Sequence, residues 1–174
     1  MRVMRRNDRQ LPEDKAWDVL KNSEYGFLAM TNPEGEPYCI PLAYAVEGDT
    51  LYFHSGRRGE KLDSLRKNPR VCFTTVLYSK SLPAEYSMSF ASCVAVGDMR
   101  FVTDEEERTR AMTLITAKYA PDFMNCAKFD RQMRGMPAVE ILALKVEELC
   151  GKANKGLLDM EQMMKGHPGE GHKA

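Results

Sequence analysis

Large and small residues alternate along Tyr38 to Val46. Tyr38, Ile40, Leu42, Tyr44 and Val46 share one face of an extended chain, while Cys39, Pro41, Ala43 and Ala45 share the other. This period of two predicts a strand, and Pro41, which lacks a ladder donor, predicts a bulge or an edge position. The small face either lets something flat approach the backbone or packs against a helix. Glu47-Gly48-Asp49-Thr50 reads as a hairpin turn into a second strand from Leu51. Upstream, Phe27 to Thr31 predicts a strand and Asn32-Pro33-Glu34-Gly35 a turn. Downstream, Val71 to Tyr78 and Val139 to Val146 predict strands. Met88 to Val102 predicts one long strand or a pair about Gly97-Asp98. Ser79 to Tyr86, with Pro83, and Leu149 to Lys152 read as loops.

Helical spacing marks four other stretches. Pro12-Glu13-Asp14 opens a helix carrying Ala16, Trp17, Val19 and Leu20, with Gly26 closing it and Trp17 as a core anchor. Leu62 and Leu65 lie three apart in a short helix that Asn68-Pro69 stops. Thr103 and Glu106 form a capping box before a helix with Ala111, Met112, Ile115 and Tyr119 on one side. A last piece runs from Asp122 to Gln132, and Met124 and Met133 are expected as core filler. Six or seven short, mostly hairpin-linked strands with helices set apart predict an α+β fold, a mainly antiparallel small barrel with flanking helices. Residues 1–152 are expected to form a single domain, and 153–174 a C-terminal extension, helical and then frayed.

Composition narrows the function. Lys+Arg and Asp+Glu both number 25, so no global field attracts nucleic acid or an anionic membrane, and anion binding must be local. The basic start MRVMRRNDRQ lacks a following apolar core, and no window reaches transmembrane length, so a soluble cytoplasmic protein is expected. The five cysteines are scattered with no close pair, and His167 and His172 are sparse, so no metal site is expected. Cys39, Cys72 and Cys93 lie in apolar strand-like runs and read as small buried hydrophobes.

The chemistry concentrates in Leu51 to Arg70, LYFHSGRRGEKLDSLRKNPR. A strand, a basic loop flanked by Gly56 and Gly59, and a helix N-terminus follow one another. Unpaired first-turn N–H groups, the helix dipole, and the charges of Arg57, Arg58 and Lys61 together suit a phosphate. A solvated basic turn is the plainer alternative.

The run PYCIPLAY, EGDTLYFHS, GEKLDSLRKNPRVCF resembles the FMN-binding split β-barrel of the pyridoxamine-phosphate oxidase-like superfamily, and within it the nitroimidazole-resistance branch. SFASCVAVGDMRFVTDEEE and VEILALKVEELCGK extend the likeness over residues 10–152. Its most specific part is YFHS, with Lys61 seven residues after His54 and Asn68-Pro69 seven after that lysine. The resemblance implies a split β-barrel and a bound flavin: FMN, with FAD as the alternative. It implies that Ile40, Pro41, Leu42 and Tyr44 run along the isoalloxazine and ribityl. His54 and Ser55 would hold polar atoms of the flavin, and Lys61 would pair with its phosphate. Ser92 would reach the flavin from the partner of a homodimer. Three departures qualify the match. Glu60-Lys61 stands where the oxidase has Arg-Lys, leaving Arg57 or Arg58 to supply the second cation. Ala91-Ser92 replaces Arg-Ser on the long strand. The C-terminal Trp and Arg signature that grips pyridoxal phosphate is absent, so vitamin B6 oxidation is not expected.

The function implied is a reductase that takes hydride from NAD(P)H and passes electrons to a small planar acceptor such as a nitroaromatic. With no G-x-G-x-x-G fingerprint, the nicotinamide would dock directly on the flavin. His54 is the candidate catalytic residue, as a general acid, or else a structural residue holding flavin or backbone. The rival class is a non-catalytic flavin- or haem-binding protein, with His54 as axial ligand in the haem case.

Overall fold

Seven strands form one sheet in the order β2-β1-β5-β6-β7-β4-β3. They are β1 (Gly26–Thr31), β2 (Pro37–Leu42), β3 (Ala45–Glu47), β4 (Thr50–Gly56), β5 (Arg70–Leu82), β6 (Ser87–Phe101) and β7 (Val139–Asn154). Among the described residues four helices accompany them: α1 (Glu13–Asn22), α2 (Glu60–Lys67), α3 (Glu105–Tyr119) and α4 (Ala127–Arg134). The sheet ends at β2 and β3 without closing, and the fold is the α+β split β-barrel expected. This computed structural model describes residues 1–124, 126–134 and 138–154, so the expected helix and frayed end beyond Asn154 lie outside the described residues. Among those residues, no helix is long and apolar enough to cross a membrane, and no cluster of side chains could hold a metal ion.

Local chemistry accounts for the elements the pattern located. At the β1–β2 turn, Asn32 Oδ1 accepts the backbone N–H groups of Glu34 (3.1 Å) and Glu36 (2.7 Å), and Gly35 takes φ 92°. β3 and β4 pair through Glu47 and Thr50 about Gly48, with φ 57°. α2 buries Leu62 and Leu65 and ends at Asn68, as its spacing requires.

Where the pattern failed, each departure has a physical cause, and at the glycines it is a distant segment that comes close. β5 continues four residues beyond Tyr78, through a polar, exposed Ser79-Lys80-Ser81 that shows no apolar alternation. Residues 149–152 are strand, not loop, because Gly151 is needed there for close packing. A Cβ at that position would lie 2.7 Å from Ala16 Cβ. Gly97 interrupts nothing: β6 is one strand, and the missing side chain lets the Lys145 carbonyl approach. α1 ends at Asn22, not at Gly26, which begins β1 against the Phe73 ring. The cap of α3 is Asp104 rather than Thr103; its carboxylate accepts the Glu107 N–H at 2.8 Å. The predicted 122–132 helix divides into a 3₁₀ turn, Pro121–Phe123, and α4. Trp17 is only half-buried. Of the three strand cysteines, only Cys93 is buried, its thiol pushed up to about 12 by desolvation, while Cys39 is exposed and Cys72 half-buried.

The chain divides into two compact units. One comprises, of the described residues, 1–23, 75–94 and 149–154. Within it Leu11 donates its N–H to the Gly151 carbonyl (3.0 Å), and Asn154 Nδ2 donates to the Ser87 hydroxyl and the Met88 carbonyl. The other comprises residues 24–74 and 95–148. Its centre is a trio of fully buried rings: Tyr44, Phe53 and Phe73, with Tyr44 and Phe73 edge to face at 4.7 Å. Each such ring contributes about 1.5–3 kcal/mol of burial, and each edge-to-face pair about 0.5–1.5 kcal/mol more. A second cluster packs Ala111, Met112 and Ile115 of α3 against Ala45, Tyr52, Ile141 and Ala143. Buried Arg108 fastens the start of α3 by donating to the Val102 (3.2 Å) and Val139 (2.9 Å) carbonyls.

Candidate functional site

The second unit gathers most of the residues singled out from the sequence. α2 begins after Gly59, whose φ of 127° is a conformation that favours glycine, and no side chain caps its N-terminus. The Leu62 N–H donates to the Gly59 carbonyl at 2.9 Å, and the N–H groups of Glu60 and Lys61 are left to face an anion. Lys61 stands in that turn, half-buried, without a hydrogen bond or ion pair among the described residues; burial lowers its pKa. Arg58 is exposed and likewise makes no ion pair among the described residues, whereas Arg57 leans on Glu140 at 3.6 Å. Of the two first-turn carboxylates, Glu60 accepts from Asn32 Nδ2 at 3.4 Å and Asp63 from Arg66 at 3.0 Å. This donor set suits a phosphate monoester.

His54 links that turn to the rest of the site. Alternation along β4 turns Leu51, Phe53 and Ser55 to one face, all buried, and Tyr52 and His54 to the other. His54 reaches the surface with no hydrogen-bond partner among the described residues. Desolvation, and then the nearby charge of Lys61, hold its pKa below the usual histidine value. At neutral pH it is an uncharged imidazole with one N–H donor and one bare nitrogen. That state favours a hydrogen-bonding role over donation of a proton from an imidazolium.

Ile40, Pro41 and Leu42 lie on β2, which stands at the end of the strand order and pairs only with β1, Phe27 facing Pro41. The proline therefore sits at an edge. Backbone groups on the strand's outer side remain available, as a flat ring with a polar edge would require. Cys39 and Pro41, on the small face, are exposed. Tyr44 is placed differently. Its ring is in the core, and its backbone N–H and carbonyl both bond the Tyr119 hydroxyl at 2.9 Å, which divides the expected 38–46 strand into β2 and β3. Ser55 is buried. Ser92 belongs to the other unit, where its hydroxyl is 3.4 Å from the Lys152 carbonyl.

Beside His54 lies a cavity of about 350 Å³ that the sequence reading missed. Ala43 and His54 form one wall, and Met112, Ile115, Thr116 and Tyr119 of α3 the other. Only the tertiary fold joins residue 43 to residue 119, so no local signal announces it. Next to it, Lys118 Nζ stands 4.0 Å from the centre of the Tyr44 ring, and burial lowers its pKa to about 8.

A family model described as pyridoxamine 5'-phosphate oxidase matches residues 12–153. The chain is similar to solved structures of the same fold. One is a protein assigned to 5-nitroimidazole antibiotic resistance in Bacteroides thetaiotaomicron: 27% identity, 82% of this chain and 85% of that one, TM-score 0.71. Another is an FAD-binding protein of Mesorhizobium loti: 22% identity, 84% and 98% coverage, TM-score 0.63. A third is an FAD- and haem-binding protein of Mycobacterium smegmatis: 17% identity, 91% and 80% coverage, TM-score 0.68. No match was found among curated proteins.

Proposed function

The chain belongs to the pyridoxamine 5'-phosphate oxidase family, in its nitroimidazole-resistance branch, and from that premise we propose that it is an FMN-dependent oxidoreductase. Its acceptor is a small planar molecule such as a nitroaromatic, its electron donor NAD(P)H, and its working form a homodimer. The observation that carries this reading is Lys61: a half-buried cation with no counter-charge among the described residues, at an uncapped helix N-terminus beside a neutral His54. A solvated surface turn does not need a lysine so placed; a phosphate does.

Lys61, Arg58 and the first N–H groups of α2 hold the phosphate. The outer edge of β2 from Ile40 to Leu42 supports the ring system, and Ser55 and His54 stand at the strand end between them. Ser92 serves the site of the partner subunit. When bound, the flavin supplies two-electron chemistry. The protein supplies position: a cation for the phosphate, backbone groups for the ring edge, and a neutral imidazole as hydrogen-bond partner. The FAD-binding proteins of the same fold leave FAD as the alternative nucleotide. A haem reading draws on His54, whose ring nitrogens have no partner among the described residues.

The test is to release the chromophore of the purified protein and identify it by mass and spectrum. FMN, bleached anaerobically by NAD(P)H and recoloured by a nitroaromatic, is the expected result. A Soret band, or a preparation that neither contains nor takes up flavin, refutes the proposal.

A further inference from the structure

We propose that the cavity between Ala43 and α3 is the acceptor's own binding slot, taking a small, uncharged, planar aromatic molecule with its polar edge on His54; this rests on the reading above that such an acceptor is reduced here. At about 350 Å³ the slot is of ligand size. Its walls are a strand end and a helix, with Ala43 on one side and Met112 and Ile115 on the other.

The polar groups then decide what the ring carries. Thr116 donates its hydroxyl proton to the Met112 carbonyl at 2.9 Å. The Tyr119 hydroxyl accepts the Tyr44 N–H and lies 2.6 Å from the Glu24 carbonyl and 2.9 Å from that of Tyr44, so its proton is committed to backbone. His54 alone among these wall residues keeps an uncommitted donor and acceptor. Neither Lys61 nor Lys118 lines the slot, so a charged guest would meet alkyl groups and one neutral hydrogen-bond partner, a poor exchange for water. An uncharged ring with one accepting edge, such as a nitro or quinone oxygen, leaves nothing unsatisfied. Ala43 is the specificity-determining position, because any larger side chain there would narrow the slot.

The probe is 4-fluoronitrobenzene, followed by ¹⁹F NMR on the purified full chain, with fluorobenzene and 4-fluorobenzoate as comparators. The nitro compound is expected to bind about tenfold more tightly than fluorobenzene, the worth of one net hydrogen bond, and 4-fluorobenzoate more weakly still. His54→Ala is expected to erase the preference for the nitro compound. Ala43→Leu is expected to abolish probe binding while flavin content and melting temperature are retained, and Ile115→Phe, from the opposite wall, to do the same should Ala43→Leu fail to fold. Probe binding unchanged in the folded variants, or 4-fluorobenzoate bound as tightly, overturns the inference. So does Ala43→Leu losing flavin together with the probe, since the slot would then be part of the flavin site. A colourless protein that binds the probe and loses it in Ala43→Leu sinks the flavin reading and leaves the slot. A flavin-loaded protein that ignores the probe sinks only the slot.

Discussion

Replacing Tyr119 by phenylalanine removes one oxygen atom and nothing else from the end of α3. That oxygen accepts the Tyr44 N–H at 2.9 Å and donates to one of two carbonyls, Glu24 at 2.6 Å or Tyr44 at 2.9 Å. A single hydroxyl proton serves one carbonyl at a time, so two hydrogen bonds are lost. At roughly 0.5–1.5 kcal/mol each, the cost is about 1–3 kcal/mol. Equilibrium urea denaturation followed by circular dichroism is the assay, with Tyr86→Phe, at a wholly exposed ring, as the control. Tyr119→Phe should lower the midpoint with an unchanged slope, and Tyr86→Phe should leave both alone. A loss below about 0.5 kcal/mol in Tyr119→Phe would mean that the hydroxyl does not hold the break between β2 and β3.

The remaining expectations concern the site and its charges. Lys61→Ala should weaken FMN binding by about 1–3 kcal/mol, measured by quenching of flavin fluorescence; unchanged retention removes the phosphate assignment. His54, titrated by NMR in the flavin-free protein, should show a midpoint below about 6.5, moving upward in Lys61→Ala as a neighbouring positive charge disappears. A midpoint above the ordinary value would restore the imidazolium as a candidate acid. Lys118, with its pKa lowered to about 8, binds fewer protons in the native than in the unfolded chain between that pH and the ordinary lysine value of about 10.4. Native stability relative to Lys118→Met should therefore rise with pH across that window and be flat below it; a difference that falls there contradicts the burial of the ammonium.

Much of this molecule can be read from short-range signals. The turn at Asn32 to Gly35, the hairpin at Gly48 and the stop at Asn68-Pro69 each depend on residues within a few positions, and each stands where the pattern put it. His54 and Lys61 were found the same way, by their spacing within one stretch. Several of the failures share the opposite property. Gly97 and Gly151 read as punctuation, yet they are small because distant backbone or a helix comes close, which no window along the chain reveals. Tyr119 read as one more apolar position on a helix. Its hydroxyl holds partners 75 and 95 residues away, and the cavity it borders is assembled from the same long-range meeting of α3 with β4.

The place of β7 in the strand order has a bearing on how the chain is made. The last strand of the sheet to be translated is the one that stands between β6 and β4, pairing with β4 from Thr50–Lys145 to Gly56–Val139. Until it leaves the ribosome, the β3–β4 hairpin that carries His54 has no neighbour in the sheet but itself, and a lone hairpin in water is marginal. A nascent chain stalled before residue 139 would therefore offer two further open strand edges, those of β4 and β6, to any chaperone or to another copy of itself.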